Sequence, residues 1–145
     1  MPLSTTARKW PSFRPSPAAD LAVQGNHLTA DLRGCDAEQP LMLSPEALRA
    51  LCVDAVAAAE LGAVGELFHR FTPAPGQTQS GITGIVLLAE SHLAVHTWPE
   101  LGAVSLDVYV CNLGRDNRAR AEALMSRLIA AFGAAEVKRQ TQLRG

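Results

Sequence analysis

Residues 82–111 read ITGIVLLAESHLAVHTWPELGAVSLDVYVC, and whether they form strands or helices decides the fold. Ile82 to Ala89 is a short, continuous, largely β-branched apolar run, the pattern of a buried strand. Ala103 to Cys111 alternates instead: Val104, Leu106, Val108 and Val110 point one way, while Ser105, Asp107, Tyr109 and Cys111 point the other. Between them, Val95, Thr97 and Trp98 favour a third strand. That choice matters for His92 and His96. On a helix they would share a face and suggest a metal pair, but along a strand they lie about 13 Å apart, too far to hold one ion. No metal is therefore predicted. The remaining oddity is the junction, where the apolar run leads directly into Glu90-Ser91-His92 rather than into ordinary turn residues.

Outward from this stretch, HLTADL at residues 27–32 alternates like a half-buried strand, with a turn at Gly34. Ser44-Pro45-Glu46 supplies an N-cap, a proline at the first helical position and an acid near the positive helix end. The helix that follows is expected to stop at Gly62. Residues 63–71 (AVGELFHRF) read as a strand and TPAPGQTQSG as a loop. Asp116 to Phe132 repeats the helical period up to Gly133, and AEVKRQTQL closes the sheet. This order predicts an α+β two-layer sandwich, a largely antiparallel sheet with two main helices on one face. By parity, Thr83 and Ser91 are assigned to the face of Tyr109 and Cys111. So mixed a face is better covered than wet, which predicts sheet-to-sheet pairing in a dimer.

The 145 residues suit one domain over 25–145. Pro2, Pro11, Pro15 and Pro17 make residues 1–24 read as a flexible, proline-rich tail. With 13 Lys+Arg against 14 Asp+Glu, the chain has no basic surface for nucleic acid or anionic lipid. Cys35, Cys52 and Cys111 show no CxxC spacing, so neither a disulfide framework nor a zinc ribbon is predicted. No apolar run reaches the roughly 20 residues of a membrane helix, and the first residues lack a signal peptide's apolar region. The expectation is a cytoplasmic protein.

Ser91, His92, His96 and Cys111 are the candidate reactive groups, and the residues alone leave each open. Ser91 lacks the GxSxG elbow of many hydrolases. Cys111, at a strand end, reads equally as a small buried hydrophobe. Trp98 and Pro99 read equally as packing and turn residues, and His27 and His69 as sheet residues.

The run Ala89 to Glu100, followed by Leu106 to Cys111, closely resembles the prokaryotic S-adenosylmethionine decarboxylase proenzymes, a pyruvoyl-dependent family with the pattern ESHxxxHTWPE and Asp-Val/Leu-Phe/Tyr-x-Cys downstream. The likeness runs from about Gly25 (GNHLTADLRGC) through FHRF at 68–71 to the C-terminus. It implies that the chain cuts itself between Glu90 and Ser91, leaving a 25–90 side and a 91–145 side of the domain. Ser91 becomes the pyruvoyl group that forms a Schiff base with substrate. The resemblance also makes His96 the acid/base of processing, Thr83 its hydrogen-bonding support and Cys111 the proton donor in turnover. Glu100, Leu93, Trp98 and Phe71 are implied in substrate binding, Glu100 on the ribose hydroxyls. A homodimer of processed protomers is implied, and decarboxylated S-adenosylmethionine, the aminopropyl donor for spermidine, is the implied product. Thr72 to Ser80 forms a longer connector than in relatives, so ornithine and arginine are the alternative substrates. A non-catalytic relative or a serine hydrolase would instead keep Ser91 on an unbroken chain.

Overall fold

Ser44 starts the main helix as its side chain and neighbours dictate: its hydroxyl accepts the Ala47 N–H at 3.2 Å, and Pro45 takes the first turn. In the computed structural model, which describes residues 24–145, the chain runs β1 (Gly25–Arg33), α1 (Pro40–Leu43), α2 (Pro45–Ala58), β2 (Ala63–Arg70), β3 (Ile82–Leu88), β4 (Ser91–Trp98), a 3₁₀ turn (Pro99–Leu101), β5 (Ala103–Cys111), α3 (Arg118–Phe132) and β6 (Glu136–Arg144). All but one residue of the expected N-terminal tail lies outside the described residues. Among the described residues, no helix is long and apolar enough to cross a membrane.

The six strands form one sheet in the order β2-β3-β4-β5-β1-β6, and every pairing is antiparallel. β2 to β5 are successive neighbours, while β1 is inserted between β5 and β6. One face packs beneath α2 and α3. Leu48, Cys52 and Val56 from α2 and Leu124, Met125 and Leu128 from α3 meet Leu28, Leu32, Val86, Leu93, Val95, Leu106 and Val108 from the sheet. Each such leucine contributes about 2 kcal/mol by leaving water. This is the α+β sandwich expected, and among the described residues no helix covers the sheet's other face.

Local differences from expectation have local causes. The main helix stops at Ala58 rather than Gly62, because Glu60 takes the left-handed conformation (φ 57°) and the Leu61 N–H closes onto the Val56 carbonyl at 3.1 Å. The short helix at Pro40–Leu43 was not expected. Its Met42 carbonyl accepts a hydrogen bond from the Thr97 hydroxyl, which in turn accepts the Ile82 N–H; both are about 3 Å. The buried hydroxyl thus ties α1, β3 and β4 together. Gly81 is needed beside it, since a Cβ there would meet the Thr97 carbonyl oxygen at 1.8 Å.

Candidate functional site

β3 and β4 are joined by only Ala89 and Glu90, with Leu88 paired to Ser91. So tight a hairpin demands unusual backbone, and Glu90 adopts φ 61°. For a residue with a long side chain the left-handed region costs about 1 kcal/mol or more, so strain sits on the residue preceding Ser91. The Ser91 hydroxyl donates to the Ala89 carbonyl and accepts the Cys111 N–H, each at 3.3 Å. The Cys111 Sγ accepts the Leu113 N–H at 3.4 Å. Asn117 holds this corner by donating to the Cys111 carbonyl at 2.9 Å. Ser91 and Cys111 are therefore neighbours on adjacent strands, on a rigid support. The other thiols are buried, and burial pushes Cys52 up to about 12 and Cys35 upward, which keeps both protonated.

The parity assignment of Ser91 requires correction. Leu88 and Ser91 face each other across the two-residue turn and share a side of the sheet, so odd and even exchange sides at the hairpin. Ser91 therefore lies on the helix-facing side with Leu93 and Val95, whereas Thr83 lies on the open face with His92 and His96. The same alternation moves Leu93. Expected in the substrate site, it is instead 0% exposed in the core.

A second group forms at the far end of β4. Thr83 Oγ1 and His96 Nδ1, on directly paired residues, are 2.8 Å apart. The His96 and Trp98 rings lie 5.9 Å apart, and with Phe71, Gln77, Gln79 and Glu100 they line a cleft of about 250 Å³. Phe71 arrives there because the 72–80 loop is closed at its neck: the Phe71 N–H donates to the Gly81 carbonyl at 3.1 Å, and the Ser80 hydroxyl donates to the Phe71 carbonyl. Phe71 and Trp98 are 50% and 36% exposed, leaving aromatic faces free for a planar ligand. Gln77 and Gln79 were not foreseen in this cleft. Their only signal was their place in the Thr72–Ser80 loop, which was expected to be longer than the family's connector.

Within one chain the two groups stay apart. Five residues of strand separate Ser91 from His96, about 16 Å, with the side chains on opposite faces. The structure brings together Ser91 with Cys111, and Thr83 with His96, Trp98, Glu100 and Phe71, but not the two sets. Between them on the open face, Asp107 accepts His27 Nε2 at 2.8 Å and His92 Nε2 at 2.9 Å. Sequence reasoning placed neither His27 nor Asp107 in any site, because their meeting depends on β1 lying beside β5.

The S-adenosylmethionine decarboxylase family model matches residues 26–145. The chain belongs to the S-adenosylmethionine decarboxylase family. S-adenosylmethionine decarboxylase proenzymes are among its relatives: that of Archaeoglobus fulgidus is 42% identical over 89 residues, 61% of this chain and 72% of the relative. That of Picrophilus torridus is 42% identical over 97 residues, covering 67% and 68%. The crystal structure of the adenosylmethionine decarboxylase from Aquifex aeolicus superposes with a TM-score of 0.72 at 33% identity, over 85% of this chain and 92% of that one. The chain is thus a decarboxylase family member, and the names of its relatives as proenzymes direct attention to the strained Glu90-Ser91 junction.

Proposed function

We propose that this chain is a self-processing, pyruvoyl-dependent decarboxylase of S-adenosylmethionine. The observation that carries the reading is the two-residue hairpin in which Glu90 holds φ 61° immediately before Ser91. The Ser91 hydroxyl attacks the Glu90 carbonyl carbon, and the amide becomes an ester with a freed amine on residue 91. Release of backbone strain offsets part of the cost of turning a resonance-stabilised amide into an ester, and the elimination that follows draws the shift forward. Removal of the residue 91 Cα proton then expels the Glu90 carboxylate, leaving a dehydroalanine. Tautomerisation and addition of water release ammonia and leave a ketone at the new N-terminus. Residues 1–90 and 91–145 part as covalent chains but stay interleaved in one sheet, because β1 of the first piece lies between β5 and β6 of the second.

The residues present fit such a group. Position 91 lies at the start of a central strand, its Oγ already in contact with the backbone N–H of Cys111 on the neighbouring strand. A pyruvoyl ketone next to an amide carbonyl supplies an electron sink for loss of CO₂. Cys111 gives a proton to the substrate carbon from its place at the end of β5. Glu100 accepts hydrogen bonds from the ribose diol, and the exposed faces of Phe71 and Trp98 hold the purine. Thr83 fixes His96 through the 2.8 Å contact so that the imidazole moves protons during processing.

Because these groups stand about 16 Å from Ser91 in one chain, each working site takes Ser91 and Cys111 from one copy and Thr83, His96 and Glu100 from a second. Leu67, Leu87 and Trp98 are 69%, 46% and 36% exposed on the open face, an apolar surface that pairing would cover. The product would serve as an aminopropyl donor for spermidine synthesis in the cytoplasm.

Intact mass of freshly purified protein tests the reading. Two chains dividing after Glu90, with the second blocked to Edman degradation, are expected, and Ser91→Ala should give one uncut, inactive chain. A wild-type protein that folds yet remains whole would end the proposal. Measuring CO₂ released from S-adenosylmethionine, ornithine and arginine then assigns the substrate, with the first expected.

A further inference from the structure

We infer that His27, His92 and Asp107 form a binding site for one borderline divalent transition ion such as Zn²⁺. The inference does not depend on the decarboxylase reading. Each residue offers one ligand atom, and these atoms all lie within 4.8 Å of one another. Ligands about 2.1 Å from one tetrahedral ion lie about 3.4 Å apart, so the widest pair must close by up to about 1.4 Å, a movement within reach of side-chain rotation. Two imidazoles and one carboxylate are the donor set of zinc and its first-row neighbours, with room for a fourth ligand from solvent.

The support is rigid. His92, Asp107 and His27 come from β4, β5 and β1, three successive strands of the sheet. The Tyr109 ring lies 6.1 Å from that of His27 and 5.9 Å from that of His92, limiting their rotation. In the single chain all three side chains are accessible, with 21%, 38% and 36% exposure for His27, His92 and Asp107, and in the proposed pair the site lies between the two copies.

A fourth residue sets the occupancy. The Arg144 guanidinium, which only donates, contacts His27 Nδ1 at 3.3 Å. His27 Nδ1 must then carry a lone pair, and its proton resides on Nε2, directed at Asp107. Binding an ion through Nε2 moves that proton to Nδ1, where it opposes the guanidinium. Arg144 must therefore swing away, and its positive charge competes with the ion in both respects. Arg144 is a competitor placed against the site.

Equilibrium dialysis of the full-length protein against Zn²⁺, with metal content read by mass spectrometry, tests this. Wild type should hold one equivalent at this site. His92→Gln and Asp107→Asn should each weaken it by about tenfold or more, and Arg144→Ala should tighten it. Cys35, Cys52 and Cys111 remain in every variant, so binding to thiols is common to all and cancels. Circular dichroism checks the fold; Arg144→Ala changes no ligand and provides an independent arm should a ligand variant unfold. Equal Zn²⁺ affinity in wild type and any folded ligand variant overturns the site. So does failure of wild type to bind a stoichiometric ion, or an Arg144→Ala protein that binds no more tightly than wild type.

Discussion

At the Ser91 end of β4, a hydroxyl on the helix-facing side meets a backbone N–H of the next strand beside a strained turn. At the Trp98 end, the threonine, imidazole and aromatic groups face the open side around a cleft. Among the described residues, the first end has a bond under strain but no imidazole against it, and the second has an imidazole but no strained peptide beside it. Ten consecutive residues, Ser91 to Glu100, are thus divided by the pleat and length of one strand. In the two-fold pair proposed above, each end would find its complement on the second copy.

The largest effect tests that division. Ser91→Ala and His96→Ala chains should each remain uncut when made alone. Made together, they form mixed pairs in which the His96→Ala chain supplies Ser91 and the Ser91→Ala chain supplies His96. Cleavage should then appear, and only in the His96→Ala chain, as intact mass distinguishes. Should the mixture stay uncut while either variant pairs normally, the site would lie within one chain and the comparison would collapse.

Cys111→Ala sharpens the first end. Processing should continue, since the Cys111 contribution to Ser91 is its backbone N–H, which alanine retains. Turnover should fall by about 10²- to 10⁴-fold with the loss of a positioned proton donor. Normal CO₂ release by the cleaved variant would remove the thiol from the chemistry.

Much of this arrangement was legible in the sequence wherever the physics is local. Alternation in residues 103–111, the Ser44-Pro45 helix start and the Gly133 stop each follow from neighbours a few residues away. The sides taken by Ser91 and Leu93 were not legible by simple counting, because a two-residue turn pairs residues three apart and so inverts parity. The separation of His92 from His96 followed from strand rise alone, and the same rise sets Ser91 apart from His96. The His27–Asp107–His92 group was invisible because it needs the position of β1, a strand some eighty residues from its neighbour β5 in the chain, and sequence gives no direct measure of sheet order.

At the second end, Thr83→Val should slow processing by about fivefold, the effect of losing one hydrogen bond of roughly 1 kcal/mol to His96. Thr83→Ser should restore the rate, since it keeps the hydroxyl. A time course of cleavage from freshly synthesised chain provides the measurement, and equal rates for valine and threonine would leave the 2.8 Å contact without a role in processing.

The smallest effect separates strain from proximity at the hairpin. Asparagine tolerates the left-handed region far better than glutamate, so Glu90→Asn should relieve part of the cost that the turn imposes. In a Ser91→Ala background, where the chain stays whole, the relief should appear as a gain of several tenths of a kcal/mol in urea unfolding. With Ser91 restored, the same stabilisation of the uncut ground state should slow cleavage by a few-fold, because strain removed from the starting peptide no longer helps to reach the ester. If the variant is stabilised but cuts at the wild-type rate, the left-handed turn merely shapes the hairpin, and the placing of the hydroxyl carries the reaction. Stabilisation and slower cutting together would show that the fold stores part of the activation energy in the bond it breaks.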